Sequence, residues 1–234
     1  MSAKEVIAQL KSFANLERKK INERFFKTGP GQYSEHDKFI GVRVPQIRLI
    51  AKQHFKQIDF SEIDQLIINP IHEVRFCGLI ILMNQYQANN QETVFNYYLD
   101  NISSVNNWDL VDTTVPAIIG DYLVNHSEKT ALLFKWANSD DLWERRIAIV
   151  ATFAFIRQNQ FKLTLAIGQL LLKDQEDLIH KAVGWMLREV YKKNINICMA
   201  FLRENYAQLP RTTLRYAIER MPEIDRKAYL KGTF

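Results

Sequence analysis

Trp108 and Asp112 set an indole and a carboxylate close together in the sequence. Four residues apart, they would share one face of a helix, one turn from each other. A carboxylate beside an indole suits a site that stabilises positive charge. The ring offers a π-face to a cation, and the carboxylate offers full negative charge. The stretch from Asn106 to Pro116 also reads as structure alone, with Asp109 or Asp112 capping a helix and Trp108 filling a core. What recurs downstream favours chemistry. Trp143 is followed by Arg145 and Arg146, and Lys181 stands four residues before Trp185, with Arg188 and Glu189 after it. Two readings stay open for Asp112 and Arg146. They form an inter-repeat ion pair, or Asp112 points into a cleft flanked by Trp108 and Trp185 while Arg146 grips a phosphate. Trp136 lies in the run Leu132 to Ala137 and reads as core.

The elements that must position these residues are helices. Apolar side chains at Val6, Ile7, Leu10, Phe13, Ala14 and Leu16 give residues 2–27 a helical period, which Thr28-Gly29-Pro30-Gly31 breaks. A second helix is expected from Pro45 to about Lys56, with Pro45 as its first residue, since its missing N–H would be unpaired there anyway. It carries Arg48, Lys52 and Lys56 in one stripe, with Arg43 in the loop before it. This is the first expected phosphate-contacting surface. From there an amphipathic helix followed by a nearly all-apolar one recurs: 61–69 with 73–86, 91–100 with 108–124, 128–137 with 142–157, 160–172 with 177–192, and 196–206 with 211–221. Arg75, Asp112, Arg146, Ala182 and Arg215 mark a comparable position in each second helix, at separations of 37, 34, 36 and 33. Such a period means stacked helical pairs, none able to bury its apolar face alone. The expected fold is all-α: one HEAT-like helical-repeat solenoid over 1–234, an α-α superhelix whose concave side is its binding groove.

Bulk properties narrow the class. The chain has 234 residues, 47% of them hydrophobic, with a formal net charge of +5. It can build a continuous core, and it is mildly biased toward polyanions. Cys77 and Cys198 are far apart in apolar surroundings and read as buried free thiols in a reducing compartment. No apolar run reaches membrane-spanning length, and the N-terminus reads as a helix rather than a signal peptide. A cytoplasmic, monomeric protein is the expectation. The five histidines and two cysteines show no metal-ligand spacing, so no metal and no cofactor are expected.

Four blocks then carry a resemblance: Phe39-Ile40-Gly41-Val42-Arg43-Val44-Pro45, Asn107-Trp108-Asp109-Leu110-Val111-Asp112, Leu142-Trp143-Glu144-Arg145-Arg146-Ile147-Ala148-Ile149, and Lys181-Ala182-Val183-Gly184-Trp185-Met186-Leu187-Arg188-Glu189. In this order, over about 4–222, they resemble the AlkD family of DNA alkylation repair glycosylases. The resemblance implies a solenoid holding duplex DNA on its concave face and an activity that releases N3- and N7-alkylated purines in base excision repair. It implies action at the lesion nucleotide for Trp108 and Asp112, with Arg146 and Trp185 completing the site. The cations Arg43, Arg48, Lys52, Arg145, Lys181 and Arg188, with Trp143, are the expected DNA contacts. An alkylated purine is already cationic and leaves without protonation, so one carboxylate suffices, as electrostatic partner or as the group that positions water. Two other readings are a non-catalytic DNA-binding member of this fold and a HEAT scaffold that binds protein.

Overall fold

The computed structural model describes residues 2–234, and helices dominate it. Among the described residues no strand forms, and one isolated bridge pairs Lys38 with Ile71. Contacts divide the chain into two compact units, Met1–Leu110 and Val111–Phe234.

The first unit contains α1 (Ala3–Ser12), α2 (Leu16–Phe25), α3 (Val44–His54), α4 (Phe60–Ile67), α5 (His72–Gln87) and α6 (Gln91–Asp100). The single helix expected over 2–27 is two. Asn15 accepts from the Arg18 N–H and starts α2, while its own N–H donates to the Ile40 carbonyl. That tertiary tie interrupts a stretch whose side chains alone would run on as one helix. Ser2 and Glu5 form a capping box on α1. The core of the unit is α5, buried over nearly its whole length and packed on α3, α4 and α6. Such all-round burial accounts for its continuous apolar sequence.

The loop before α3 is tied down by a buried carboxylate. Glu73, 2% exposed, accepts from the backbone N–H groups of Ile40, Gly41 and Val42, at 2.7 Å from Gly41. Gly41 has φ +82°, and a Cβ there would stand 2.1 Å from the Asn15 carbonyl oxygen. Only glycine meets both demands.

Helix α7 (Trp108–Val115) contains the boundary between the units. The second unit continues with a π-helical turn at Pro116–Gly120 and α8 (Asp121–Asn125). Pro116 has no N–H to offer the Asp112 carbonyl four residues earlier. The Asp121 N–H reaches back five residues to the Pro116 carbonyl, which makes the turn π-helical. Then come α9 (Ala131–Ala137), α10 (Leu142–Arg157), α11 (Lys162–Leu171), α12 (Asp177–Lys193), α13 (Ile195–Asn205), α14 (Arg211–Ala217) and α15 (Glu223–Lys231). Helix α10 packs on α9, α11, α12 and the π-helical turn, and α12 packs on α13 and α14. The pairing of helices follows the sequence expectation, with α5 and α10 as enclosed members. Helices α12 and α14 bury fewer than half their residues, the helix expected over 108–124 is broken at the π-helical turn, and α15 was not anticipated.

Candidate functional site

The repeats share a device that identifies which arginines are structural. Arg75 Nη1 donates to the Asn69 carbonyl, six residues back, and its Nη2 pairs with Asp37. Arg145 Nη1 donates to the Ser139 carbonyl, also six back, and its Nε pairs with Asp174 at 2.6 Å. Arg145, rather than Arg146, is therefore the counterpart of Arg75. Arg146 is the additional arginine, and it does something else.

In the second unit, Arg146 and Asp112 form a two-pronged ion pair. Nε donates to Oδ1 at 3.0 Å and Nη2 to Oδ2 at 2.8 Å. Arg146 Nη1 donates to the Leu178 carbonyl at 2.5 Å. The arginine side chain is 6% exposed and the aspartate side chain 20%. A fork of this kind fixes both position and plane of a carboxylate. It also leaves one side of that carboxylate near solvent. Of the two sequence readings of Arg146, an ion pair with Asp112 or a grip on a phosphate, the structure shows the ion pair, with a backbone carbonyl beside it.

Trp185, half-buried on α12, packs against Phe153 of α10 with ring centroids 5.7 Å apart. Arg146 and Phe153 are seven residues apart on α10, and Leu178 and Trp185 are seven apart on α12. The ion pair and the indole thus belong to one α10–α12 seam, about 10 Å apart along it. Trp143 is half-buried in the first turn of α10, where its backbone N–H donates to Asp141 at 2.6 Å. Trp136 is core, at 4% exposure.

In the first unit, Trp108 stacks on Phe26 at 5.1 Å and meets Phe25 edge-on. Phe26 continues the stack to Phe39, which in turn stacks on His72. Sequence reasoning missed the polar network beneath. Asn107, fully buried, donates to Ser34 and Asp37 and accepts from the Trp108 N–H at 2.8 Å. His72, 2% exposed, lies between Asp109 at 2.8 Å and Asp37 at 3.1 Å. Burial works to lower the His72 pKa, but Asp109 and Asp37 outweigh it and lift it to about 9. Burial works to raise Asp37, but His72, Arg75 and Asn107 bring it down to about 2. The asparagine before Trp108 was the available signal, since Asn favours helix starts. His72 carried none, because its partners are 35 and 37 residues away.

The expected DNA contacts fall into two groups. Arg43, Arg48 and Lys52 are exposed on α3 and the residue that starts it, with no carboxylate partner among the described residues. Arg48 and Lys52 line a cavity of about 370 Å³ with Phe55, Ile80 and Asn84. The others are engaged with acids: Arg145 with Asp174, Arg188 with Glu219 and Glu189, and Lys181 with Asp177 one turn earlier. Among the described residues, no group of three histidine, cysteine or carboxylate side chains is placed to hold a metal ion. Cys77 and Cys198 are buried free thiols, as expected. Among the described residues, no helix is long and apolar enough to cross a membrane.

No curated protein matches the chain. Solved structures that share its fold include two at 18% identity. One, described as "Predicted DNA alkylation repair enzyme from Enterococcus faecalis", has a TM-score of 0.72 at 18% identity, covering 90% of this chain and 97% of its own. The other, AlkD2 from Streptococcus mutans, has a TM-score of 0.57 at 18% identity, covering 94% and 99%. The family described as "DNA alkylation repair enzyme" matches residues 6–221, and with nearly the whole length matched, the chain belongs to that family.

Proposed function

We propose that this protein is a DNA glycosylase that releases N3- and N7-alkylated purines from duplex DNA, with Asp112 at the reacting sugar. The observation that supports this most is the Asp112 carboxylate, held by both oxygens on a buried guanidinium and still 20% exposed. A carboxylate so fixed costs little reorganisation when charge develops beside it. The alkylated base carries its positive charge before reaction. As the C1′–N9 bond breaks, its electron pair goes to the base, which leaves neutral, and the deoxyribose becomes an oxocarbenium-like cation. Asp112 stabilises that cation and orients the water that adds to C1′; the water's proton passes to solvent. A single carboxylate serves, because the leaving group asks for no acid.

Trp185, half-buried on the same seam, offers a π-face to the sugar or the lesion. Trp108, four residues before Asp112 on α7, is proposed for the same kind of contact. Arg43, Arg48 and Lys52, with no carboxylate partner among the described residues, contact phosphates. Lys181 joins them by exchanging Asp177 for phosphate, since an exposed pair is worth about 0–1 kcal/mol. Arg145 and Arg188 are assigned to the fold, and Trp143 to packing at the start of α10.

The experiment is release of 7-methylguanine from methylated duplex DNA. Asp112→Asn keeps the shape, and is expected to slow release by at least about 100-fold while duplex binding persists. Wild-type release by that variant would overturn the assignment. The same ion pair would also serve a DNA-binding protein without catalysis, as a tie from residue 112 to α10. Wild-type protein that binds the duplex and frees no methylpurine would establish that second reading.

A further inference from the structure

Helix α10 carries a second arginine on the face that holds Arg146. Arg146, Val150, Phe153 and Arg157 follow one another at helical spacing and form a single stripe. The Arg157 guanidinium lies over the Phe153 ring, 4.4 Å from its centroid. Phe153 in turn packs against Trp185. Arg157 is exposed, and the segment from Arg157 to Leu163 contains no acidic residue. No ion pair engages it among the described residues, unlike Arg145, Arg146 and Arg188. An exposed arginine side chain ordinarily forfeits rotamer freedom when it binds. Stacking on an aromatic face removes part of that cost in advance and leaves the guanidinium edge open to an anion.

We infer that Arg157, propped on Phe153, is a binding residue for an internucleotide phosphate several nucleotides away from the reacting one. The inference rests on the DNA reading above and extends it to a residue with no part in the chemistry. Eleven residues separate Arg157 from Arg146, about 16 Å along the helix. That is several nucleotide steps at about 3.4 Å of rise per strand. Arg157 therefore cannot share the sugar at Asp112, and its effect belongs to affinity and register rather than to bond cleavage. The competing explanation is structural: a cation in the last turn of α10 also satisfies the helix dipole. That explanation moves thermal stability and leaves DNA binding alone.

The test is the affinity for a short synthetic duplex as a function of salt. Arg157→Gln is expected to reduce the slope of log K against log salt by about 0.9 in magnitude, the signature of one lost phosphate contact. It is also expected to raise KM for methylated duplex more than it lowers kcat. Phe153→Leu keeps the charge and removes the aromatic prop. Its slope stays at the wild-type value while affinity falls about two- to five-fold. An unchanged slope and affinity in Arg157→Gln, with wild-type protein showing a steep slope, would overturn the inference. Wild-type protein without salt-dependent duplex binding would overturn the DNA reading beneath it instead.

Discussion

Arg146 separates two chemistries that a single guanidinium could serve. Three hydrogen bonds within the protein direct it at Asp112 and at the Leu178 carbonyl. It follows that Arg146 acts by holding the carboxylate, and its loss should appear in rate rather than in electrostatic affinity. Arg146→Gln is expected to slow methylpurine release by about 10-fold or more, with the salt slope of duplex binding unchanged. Arg146→Lys should fare little better in rate, because an ammonium cannot form the two-pronged contact. A slope reduced by about 0.9 in the glutamine variant would return Arg146 to a phosphate. The pairing of Asp112 with Arg146 was legible in the sequence as one of two open readings. What the sequence could not express was which arginine of Arg145-Arg146 is the repeated one. Arg145 is recognised by what it donates to, the carbonyl six residues back, and a one-residue offset between repeats hides that in a plain alignment of positions.

At the scale of the element, α12 is positioned by an absence of side chain. A Cβ on Gly184 would stand 2.5 Å from the Tyr216 Cβ and 2.6 Å from the Thr213 carbonyl oxygen, both on α14. The two helices approach at glycine distance, one residue before Trp185. Gly184→Ala gains helix propensity of about 1 kcal/mol and forces the helices apart. Overpacking of a closed seam costs about 1–3 kcal/mol and occasionally more, and the obstacle here is partly backbone, which cannot rotate away. The expected result is a net loss of stability in urea denaturation. Trp185 fluorescence should shift as well, although Trp185 itself is unaltered. A variant as stable as wild type would show that α14 can move aside. The glycine of Lys181 to Glu189 was visible in the sequence as part of a motif; its reason was not, because the reason lies in α14, about 30 residues away.

At the scale of the whole molecule, the helical pairs were readable because helix periodicity is local and the breaks fall at Asn, Pro and Gly. The interruption between α1 and α2 was not, since it is imposed by the Ile40 carbonyl. The charged cluster around His72 was hidden for the same reason, and it makes stability depend on pH. His72 has its pKa raised to about 9 from 6.5, with burial opposing and Asp109 and Asp37 prevailing. A raised histidine binds its proton more tightly when folded, so its stabilisation is complete below about pH 6.5 and is lost as pH climbs through 9. Asp37 is held near 2, so its contribution is present above about pH 4 and is lost as pH falls through 2. Because the two groups share one interaction, it is counted once, on the order of 3 kcal/mol. Burial pushes the Cys77 and Cys198 thiols up to about 12, which steepens the loss only above pH 9. Denaturation should therefore give a plateau from about pH 4 to 6.5 and a decline toward pH 9. His72→Gln should be less stable at pH 6 and should flatten the alkaline decline. A variant that keeps the full decline would place its origin outside the Asp37–His72–Asp109 cluster.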